Sequence, residues 1–348
     1  MFDVLYWLIA LLAFGLLIFI HELGHYLTAR ACHVTIHEFS IGMGPKMVTY
    51  TSKKTGIKYS LGMLPIGGYV SMAGEDEESE DPNALCRKPA WQRFIIIVAG
   101  GLMNLLLGVL LIFALVLSSA NLGSNRIHSY PEKAPYDISS ADSGLLPGDT
   151  ILAVNGTRVY IADDLAYEVV HDGGEGPLDL TVLRDGREMT LSVQFPTVEA
   201  GGIRAGALDF YVQAEEKSLG NVLKHTLHRS LSTVKMVWES LVDFIGGRYG
   251  MEAVSGPVGV AGAISDAASN GLSQLAYLMA VISINLGIFN LLPVPALDGG
   301  RLFFILIEII FRRPVPQKYE ALVHFIGILV LFGFVILVTF KDIMSFFA

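Results

Sequence analysis

The chain has 348 residues, of which 52% are hydrophobic and 16% are charged, and its formal net charge at pH 7 is −9. A composition this apolar argues against an ordinary soluble protein and predicts a membrane protein with a soluble insert. The acidic balance argues against nucleic acid as a partner, and the two cysteines, Cys32 and Cys86, provide neither a disulfide framework nor a zinc ribbon.

The first predicted element is an apolar helix from about Val4 to Arg30 that contains His-Glu-Leu-Gly-His at positions 21 to 25. Imidazoles four residues apart project from the same face of a helix, so His21 and His25 can bind one Zn²⁺. Glu22, beside them, can act as the general base toward an attacking water. Ionisable side chains at membrane depth are costly unless they are ligated, paired or facing a cavity, which favours a functional origin over chance.

Residues 33–70 contain short segments rich in Thr, Tyr, Ile and Val between glycines and prolines, which predicts a β-hairpin with a turn at Lys54-Thr55-Gly56. The pair Gly67-Gly68 indicates a close approach of the backbone to another group. Two interpretations stay open. The hairpin is either a sheet edge that pairs with an extended peptide beside the metal site, or a plain connection.

A second apolar span is predicted from about Phe94 to Leu117, and residues 121–207 then have a charged, turn-rich composition. Residues 143–156, Ser-Gly-Leu-Leu-Pro-Gly-Asp-Thr-Ile-Leu-Ala-Val-Asn-Gly, resemble the signature of PDZ domains. Residues 184–187, Arg-Asp-Gly-Arg, predict the turn of a later hairpin. Whether this PDZ-like domain binds peptide ends or only screens by its bulk stays open.

Residues 218–244 place apolar side chains at helical spacing with basic side chains between them, which predicts an amphipathic helix on a membrane surface or along the bundle. Its histidines, His225 and His228, lack a spacing that zinc sites favour, so we interpret them as solvated interface residues.

A third apolar span begins near Leu272 and is interrupted at residues 290–295, Asn-Leu-Leu-Pro-Val-Pro. Prolines at membrane depth are tolerated only where the backbone is buried in protein or lines a wet cavity. Asp298, followed by two glycines, is therefore the candidate for the third, oxygen ligand. Residues 303–311 are too few to span a membrane, and a last span covers about residues 321–340.

Lys and Arg are concentrated in residues 33–92 and 301–318, and the positive-inside bias places both segments in the cytoplasm, with the N-terminus, the PDZ-like domain and the C-terminus outside. The first and third spans then run in the same direction, which brings the histidines and Asp298 to one depth. We expect a polytopic α-helical membrane protein of about four transmembrane helices, with a membrane-associated β-hairpin region and one extracytoplasmic PDZ-like α+β domain. The expected segments are 1–120 (first membrane half), 121–207 (PDZ-like), 208–270 (amphipathic and linker helices) and 271–348 (second membrane half).

The chain resembles the site-2 protease family of intramembrane zinc metalloproteases, and within it the bacterial RseP/RasP type with a single PDZ domain. The matching motifs are residues 21–25, Gly42-Met-Gly-Pro45, the PDZ signature and Asn290-x-x-Pro-x-Pro-x-Leu-Asp-Gly299. The resemblance implies one Zn²⁺ held by His21, His25 and Asp298, with Glu22 as the catalytic base. It also implies that four residues hold the substrate: Asn290, Pro293, Gly42 and Gly44.

The implied substrates are single-span membrane proteins, such as an anti-sigma factor already trimmed by another protease or a remnant signal peptide, in the lipid bilayer of a bacterial inner membrane.

Two other classes of function compete with proteolysis. A catalytically silent scaffold that binds peptides through its PDZ-like domain predicts damaged ligand residues, and all of them are present. A metal transporter predicts ionisable residues along a path through the bilayer, whereas those here gather at one depth.

Overall fold

The computed structural model describes residues 2–75, 79–133, 136–200, 203–248, 250 and 254–345. The chain divides into two compact units. The first unit comprises Met1–Leu111 and Val254–Ala348, and the second unit comprises Ile112–Ala253.

Eight α-helices lie in the described residues: α1 (Phe2–Ala31), α2 (Ala90–Ser118), α3 (Ala162–Asp172), α4 (Leu219–Ile245), α5 (Pro257–Ser269), α6 (Leu272–Leu291), α7 (Asp298–Phe311) and α8 (Gln317–Ser345). Among the described helices, four are long and apolar enough to cross a membrane, namely α1, α2, α6 and α8. These four correspond to the four predicted spans, so that prediction is confirmed. The predicted short helix is α7, which begins at Asp298 and packs Leu302 and Ile305 against Ile97 of α2.

The first unit contains an antiparallel hairpin of β1 (Ile36–Thr51) and β2 (Lys58–Met72). Gly56 has a φ of +72° in the connecting turn, which confirms the turn predicted there. The base of the hairpin packs on α1, where Tyr26, Phe39 and Val70 are buried in one apolar cluster. The hairpin is therefore anchored to the helix that carries the histidines.

Glycines let α2 and α6 pack closely in the first unit. A Cβ on Gly101 would lie 3.1 Å from the carbonyl oxygen of Gly287, and one on Gly287 would lie 2.9 Å from the carbonyl oxygen of Gly101. Farther along α2, a Cβ on Gly108 would lie 3.1 Å from the carbonyl oxygen of Ala280. Small residues at such contacts allow membrane helices to approach backbone to backbone.

The second unit contains eight described strands: β3 (Leu122–Ser129), β4 (Thr150–Val154), β5 (Thr157–Arg158), β6 (Leu178–Arg184), β7 (Arg187–Val193), β8 (Thr197–Ala200), β9 (Ile203–Gly206) and β10 (Tyr211–Glu215). They form an antiparallel sheet with strand order β10-β3-β4-β6-β7, in which β5 pairs with β4, and a separate β8-β9 hairpin. Its apolar core includes Ile151, Leu180 and Phe195, none of them measurably exposed. Asp185 and Gly186 have φ of +50° and +78°, which is a type I′ turn and confirms the predicted hairpin.

Helix α4 confirms the predicted amphipathic helix, but its buried face is largely polar. Ser232 donates a hydrogen bond to Asp164 of α3, and Lys235 forms an ion pair with Glu168 of α3. The apolar side chains at helical spacing are instead mostly exposed: Leu219, Leu223, Leu227, Leu231, Trp238, Val242 and Ile245. The interpretation of His225 as a solvated residue is wrong, because it is 3% exposed and its Nε2 lies 3.1 Å from Oε2 of Glu215.

Candidate metal centre

Helix α1 carries His21, Glu22 and His25 without a break, about two to three turns before the helix ends at Ala31. Its long apolar sequence forms a continuous helix, so the i, i+4 spacing places both imidazoles on one face. That face packs against α2. A Cβ on Gly24 would lie 2.4 Å from the carbonyl oxygen of Ala99, so the two backbones are as close as a glycine allows.

The structure brings both histidines to Asp298. His21 Nε2 lies 3.1 Å from Asp298 Oδ2, and His25 Nε2 lies 3.2 Å from the same oxygen. The two Nε2 atoms are 3.2 Å apart. The side chains of His21, His25 and Asp298 are 13%, 10% and 23% exposed, so the cluster is largely withdrawn from solvent.

The three atoms have the spacing of ligands around one zinc ion. Ligands held tetrahedrally at roughly 2.0–2.1 Å from zinc lie about 3.3 Å from one another, close to the observed separations. The ring of His25 is also oriented for this purpose, because its Nδ1 donates to the carbonyl oxygen of Ile96 at 2.9 Å. That bond fixes the tautomer in which Nε2 presents its lone pair. The residues therefore fit a metal ion.

The loop between α6 and α7 folds back on itself and so positions Asp298. Asp298 is the first residue of α7, and a Cβ on Gly299 would lie 1.8 Å from the carbonyl oxygen of Leu292. In the loop, Ala296 adopts a φ of +79°, which is unfavourable for a residue with a Cβ. Its N–H donates to Nδ1 of His324 in α8 at 3.2 Å, which helps hold the loop in this shape.

Glu22 lies beside strand β2. A Cβ on Gly68 would lie 3.2 Å from Cγ of Glu22 and 3.0 Å from the carbonyl oxygen of Ser40 in β1. Because Gly68 has no side chain, the backbone of β2 can pass directly beside the side chain of Glu22. The close approach expected for the Gly67-Gly68 pair is confirmed, and its partner is the predicted general base.

The four residues assigned to substrate by resemblance lie on two other segments. Asn290 is in the last turn of α6, and Pro293 follows the end of that helix. Gly42 and Gly44 have φ of +79° and +84° at irregularities of β1. A Cβ on Gly42 would lie 2.5 Å from the carbonyl oxygen of Leu64, so Gly42 packs within the hairpin and not against the histidines.

Sequence reasoning missed Gly100 and His324. A Cβ on Gly100 would lie 2.3 Å from Nε2 of His25 and 2.7 Å from Cε1 of His21. Both imidazoles therefore pack directly against the backbone of α2 at this glycine. In the sequence, Gly100 is part of a Gly-Gly pair inside an apolar span. Glycine has no side-chain chemistry that would mark a functional site. His324 carried a weak signal, as an ionisable side chain in an apolar helix.

Comparison with known proteins gives a consistent set of matches. The family model described as Peptidase family M50 matches residues 9–334. A putative zinc metalloprotease of Clostridium perfringens is 35% identical over 340 residues, which cover 97% of this chain and 98% of that protein. The regulator of sigma-W protease RasP of Bacillus subtilis is 29% identical over 428 residues, covering 97% of this chain and 98% of that protein.

Proposed function

Because this chain belongs to peptidase family M50 and is a zinc metalloprotease, we propose that it cleaves the transmembrane segment of single-span membrane proteins. One observation carries this proposal. Two histidines of a helix that is apolar enough to cross a membrane meet an aspartate from another helix at the separations of zinc ligands, and a glutamate follows the first histidine. A hydrolytic site at that depth is suited to a bond that lies within the bilayer.

We assign roles to the residues of the cluster. His21, His25 and Asp298 would hold the zinc, which when bound lowers the pKa of a water to about 7 and polarises a carbonyl group. Glu22 accepts the proton of the attacking water and delivers it to the leaving amine. His25 keeps its orientation through Ile96, and Gly100 leaves both imidazoles the space they occupy.

A substrate helix must unwind before its peptide bond can be attacked, because each helical peptide group is hydrogen-bonded within its own turn. The hairpin beside Glu22 offers a strand for an extended segment to pair with, and we assign Gly42 and Gly44 to that edge. The interrupted backbone at Asn290 and Pro293 offers further unpaired groups to the substrate. Arg301 of α7 pairs with Glu75 just after β2, which ties the hairpin to the helix that carries Asp298.

We further propose that the second unit is a PDZ-like domain outside the membrane and that the chain lies in a bacterial inner membrane with its site toward the cytoplasm. The antiparallel sheet with helix α3 and the turn at Gly148-Asp149 support the first assignment. The distribution of Lys and Arg supports the second. The B. subtilis relative is named a regulator of sigma-W, which favours a trimmed anti-sigma factor as substrate, with remnant signal peptides as a second class.

Mapping the cut tests this function. A purified single-span protein, either with its outer domain intact or with that domain removed, is incubated with the enzyme in detergent, and the products are identified by mass spectrometry. We expect cleavage inside the apolar segment, faster for the trimmed substrate. Cleavage confined to soluble parts of the substrate would contradict the proposal.

A further inference from the structure

Asn104 is a buried amide within the apolar helix α2. The residue is 1% exposed, and neither Nδ2 nor Oδ1 has a hydrogen-bond partner among the described residues. An amide without a partner is destabilising in any protein interior, and more so within a bilayer, where water cannot compensate. Such a group in a native structure calls for an explanation outside packing.

The position of Asn104 on α2 relates it to the metal centre. It lies four residues, roughly 6 Å along the helix, from Gly100, whose face contacts the imidazoles of His21 and His25. Gly101 and Gly108 face α6 instead. At about 100° per residue, Asn104 projects between these two directions. Its side chain therefore starts from the face of α2 that is turned toward both α1 and α6.

Helix α6 does not satisfy this amide. Ser283 is fully buried in α6 and is hydrogen-bonded to Asn104. Its hydroxyl donates to the backbone carbonyl oxygen of Asn104 at 2.7 Å, not to the side chain. The proton of Ser283 is thereby committed to the backbone, and the amide keeps both its donor and its acceptor available.

We propose that the side chain of Asn104 binds a peptide group of the substrate, with Nδ2 donating to its carbonyl and Oδ1 accepting from its N–H. The inference rests on the proposed function. A substrate segment that unwinds in the membrane leaves peptide N–H and C=O groups without their helical partners. A primary amide presents one donor side and one acceptor side, as the peptide group does. Asn104 is then a substrate-binding residue, one turn of α2 away from the glycine that contacts both imidazoles.

Substrate binding without turnover tests this role. The probe is a fluorescein-labelled single-span peptide whose apolar segment of about 20 residues is interrupted by two glycines. Its affinity is measured by anisotropy in detergent for the Glu22→Gln protein, alone and combined with Asn104→Leu. We expect Asn104→Leu to weaken binding at least about tenfold, with unchanged zinc content. Thermal stability should be unchanged or higher, because the substitution removes an unpartnered polar group.

Two further variants separate binding from packing. Asn104→Ala covers the case in which leucine overfills the site, and it should weaken binding similarly. Ser283→Ala is the matched control in the same helix contact. It removes a satisfied hydrogen bond, so it should lower thermal stability and leave the affinity for the peptide unchanged.

Equal affinity with and without the amide, in both the leucine and the alanine variants, would overturn the inference while leaving the proposed function intact. A loss of affinity that parallels a loss of zinc or of stability would also overturn it, since Asn104 would then be a packing residue. If the Glu22→Gln protein itself did not bind the peptide, the proposed function would fail, and this inference with it.

Discussion

The two units of the chain use buried polar groups differently. In the first unit, the buried polar side chains include His25 and Asn104, which lie on helices otherwise apolar enough to cross a membrane. In the second unit, Asp149 and Glu168 are equally buried, but they belong to ion pairs at the edge of an ordinary apolar core. A polar residue therefore indicates function more strongly in the first unit, because its burial there has few other justifications.

The largest effect that tests this comparison is expected on the cleavage rate of Gly100→Ala. We expect Gly100→Ala to displace both imidazoles, since the new Cβ would lie 2.3 Å from Nε2 of His25. A displacement near 1 Å costs on the order of 100-fold in rate, and zinc content should fall as well. Both are measured on protein purified in detergent, by cleavage of a single-span substrate and by metal analysis.

Gly108→Ala is the matched control on the same helix. Its Cβ would lie 2.5 Å from Cγ1 of Ile284, an apolar side chain that can move. This variant should lose thermal stability and keep its zinc. Wild-type zinc content and rate in Gly100→Ala would show that the glycine does not support the site.

The second unit offers the next effect, at Asp149. Its carboxylate accepts two bonds of 2.7 Å from Arg184 and one of 2.9 Å from the N–H of Leu146. We expect Asp149→Asn to lower the free energy of unfolding of this unit by about 2 kcal/mol, because it leaves a charge-assisted network incomplete. Hydrogen exchange of the amides of β4 and β6, in the full-length protein, measures the change, and zinc content should stay the same.

The same pair predicts a pH dependence. Burial raises the pKa of Asp149, but the hydrogen bonds from Arg184 and Leu146 outweigh burial and hold that pKa below its ordinary value. A carboxyl whose folded pKa is lowered stabilises above its unfolded pKa of about 3.9, and this contribution is lost as the pH falls through the folded pKa. The difference between wild type and Asp149→Asn should thus be constant near neutral pH and shrink below about pH 4. A difference that grew on acidification would refute the assignment.

Asp342 of α8 gives the smallest effect. Its Oδ2 accepts from the N–H groups of Gly256 and Gly259 at 2.9 and 2.8 Å, so it caps the beginning of α5 from another helix. Loss of such a cap costs about 1 kcal/mol. Asp342→Ala should therefore lower the thermal midpoint in detergent more than Asp342→Asn, which keeps an acceptor oxygen. Equal losses in the two variants would exclude capping as the cause.

The sequence was sufficient to predict features that depend on residue type or on local pattern. The four spans follow from apolar length, and the Asp185-Gly186 turn follows from the φ that glycine and aspartate tolerate. The meeting of the two histidines with Asp298 follows from their ligand chemistry and from the common direction of the first and third spans, which places them at one depth. The spans and the turn require no knowledge of which elements pack together, and the meeting of the ligands requires only the direction of two spans. Asn290, Pro293, Gly42 and Gly44 remain predictions as substrate residues.

The features that were missed depend on tertiary contacts. Gly100 has no chemical signature, and only the packing of α1 on α2 brings it to the imidazoles. The bond from Ala296 to His324 joins two segments whose approach is not encoded locally. Periodicity predicted that α4 is amphipathic, but not that its polar side would pack on α3, because a helical pattern does not identify the partner of either face.

Zinc content measured together with cleavage, for wild type and Glu22→Gln purified side by side, tests the central claim most directly. We predict one zinc per chain in both proteins and cleavage of a single-span substrate by the wild type only, because the substitution removes the base and keeps every proposed ligand. Cleavage by Glu22→Gln at near the wild-type rate, or wild-type protein that cleaves equally well after zinc is removed, would contradict the account.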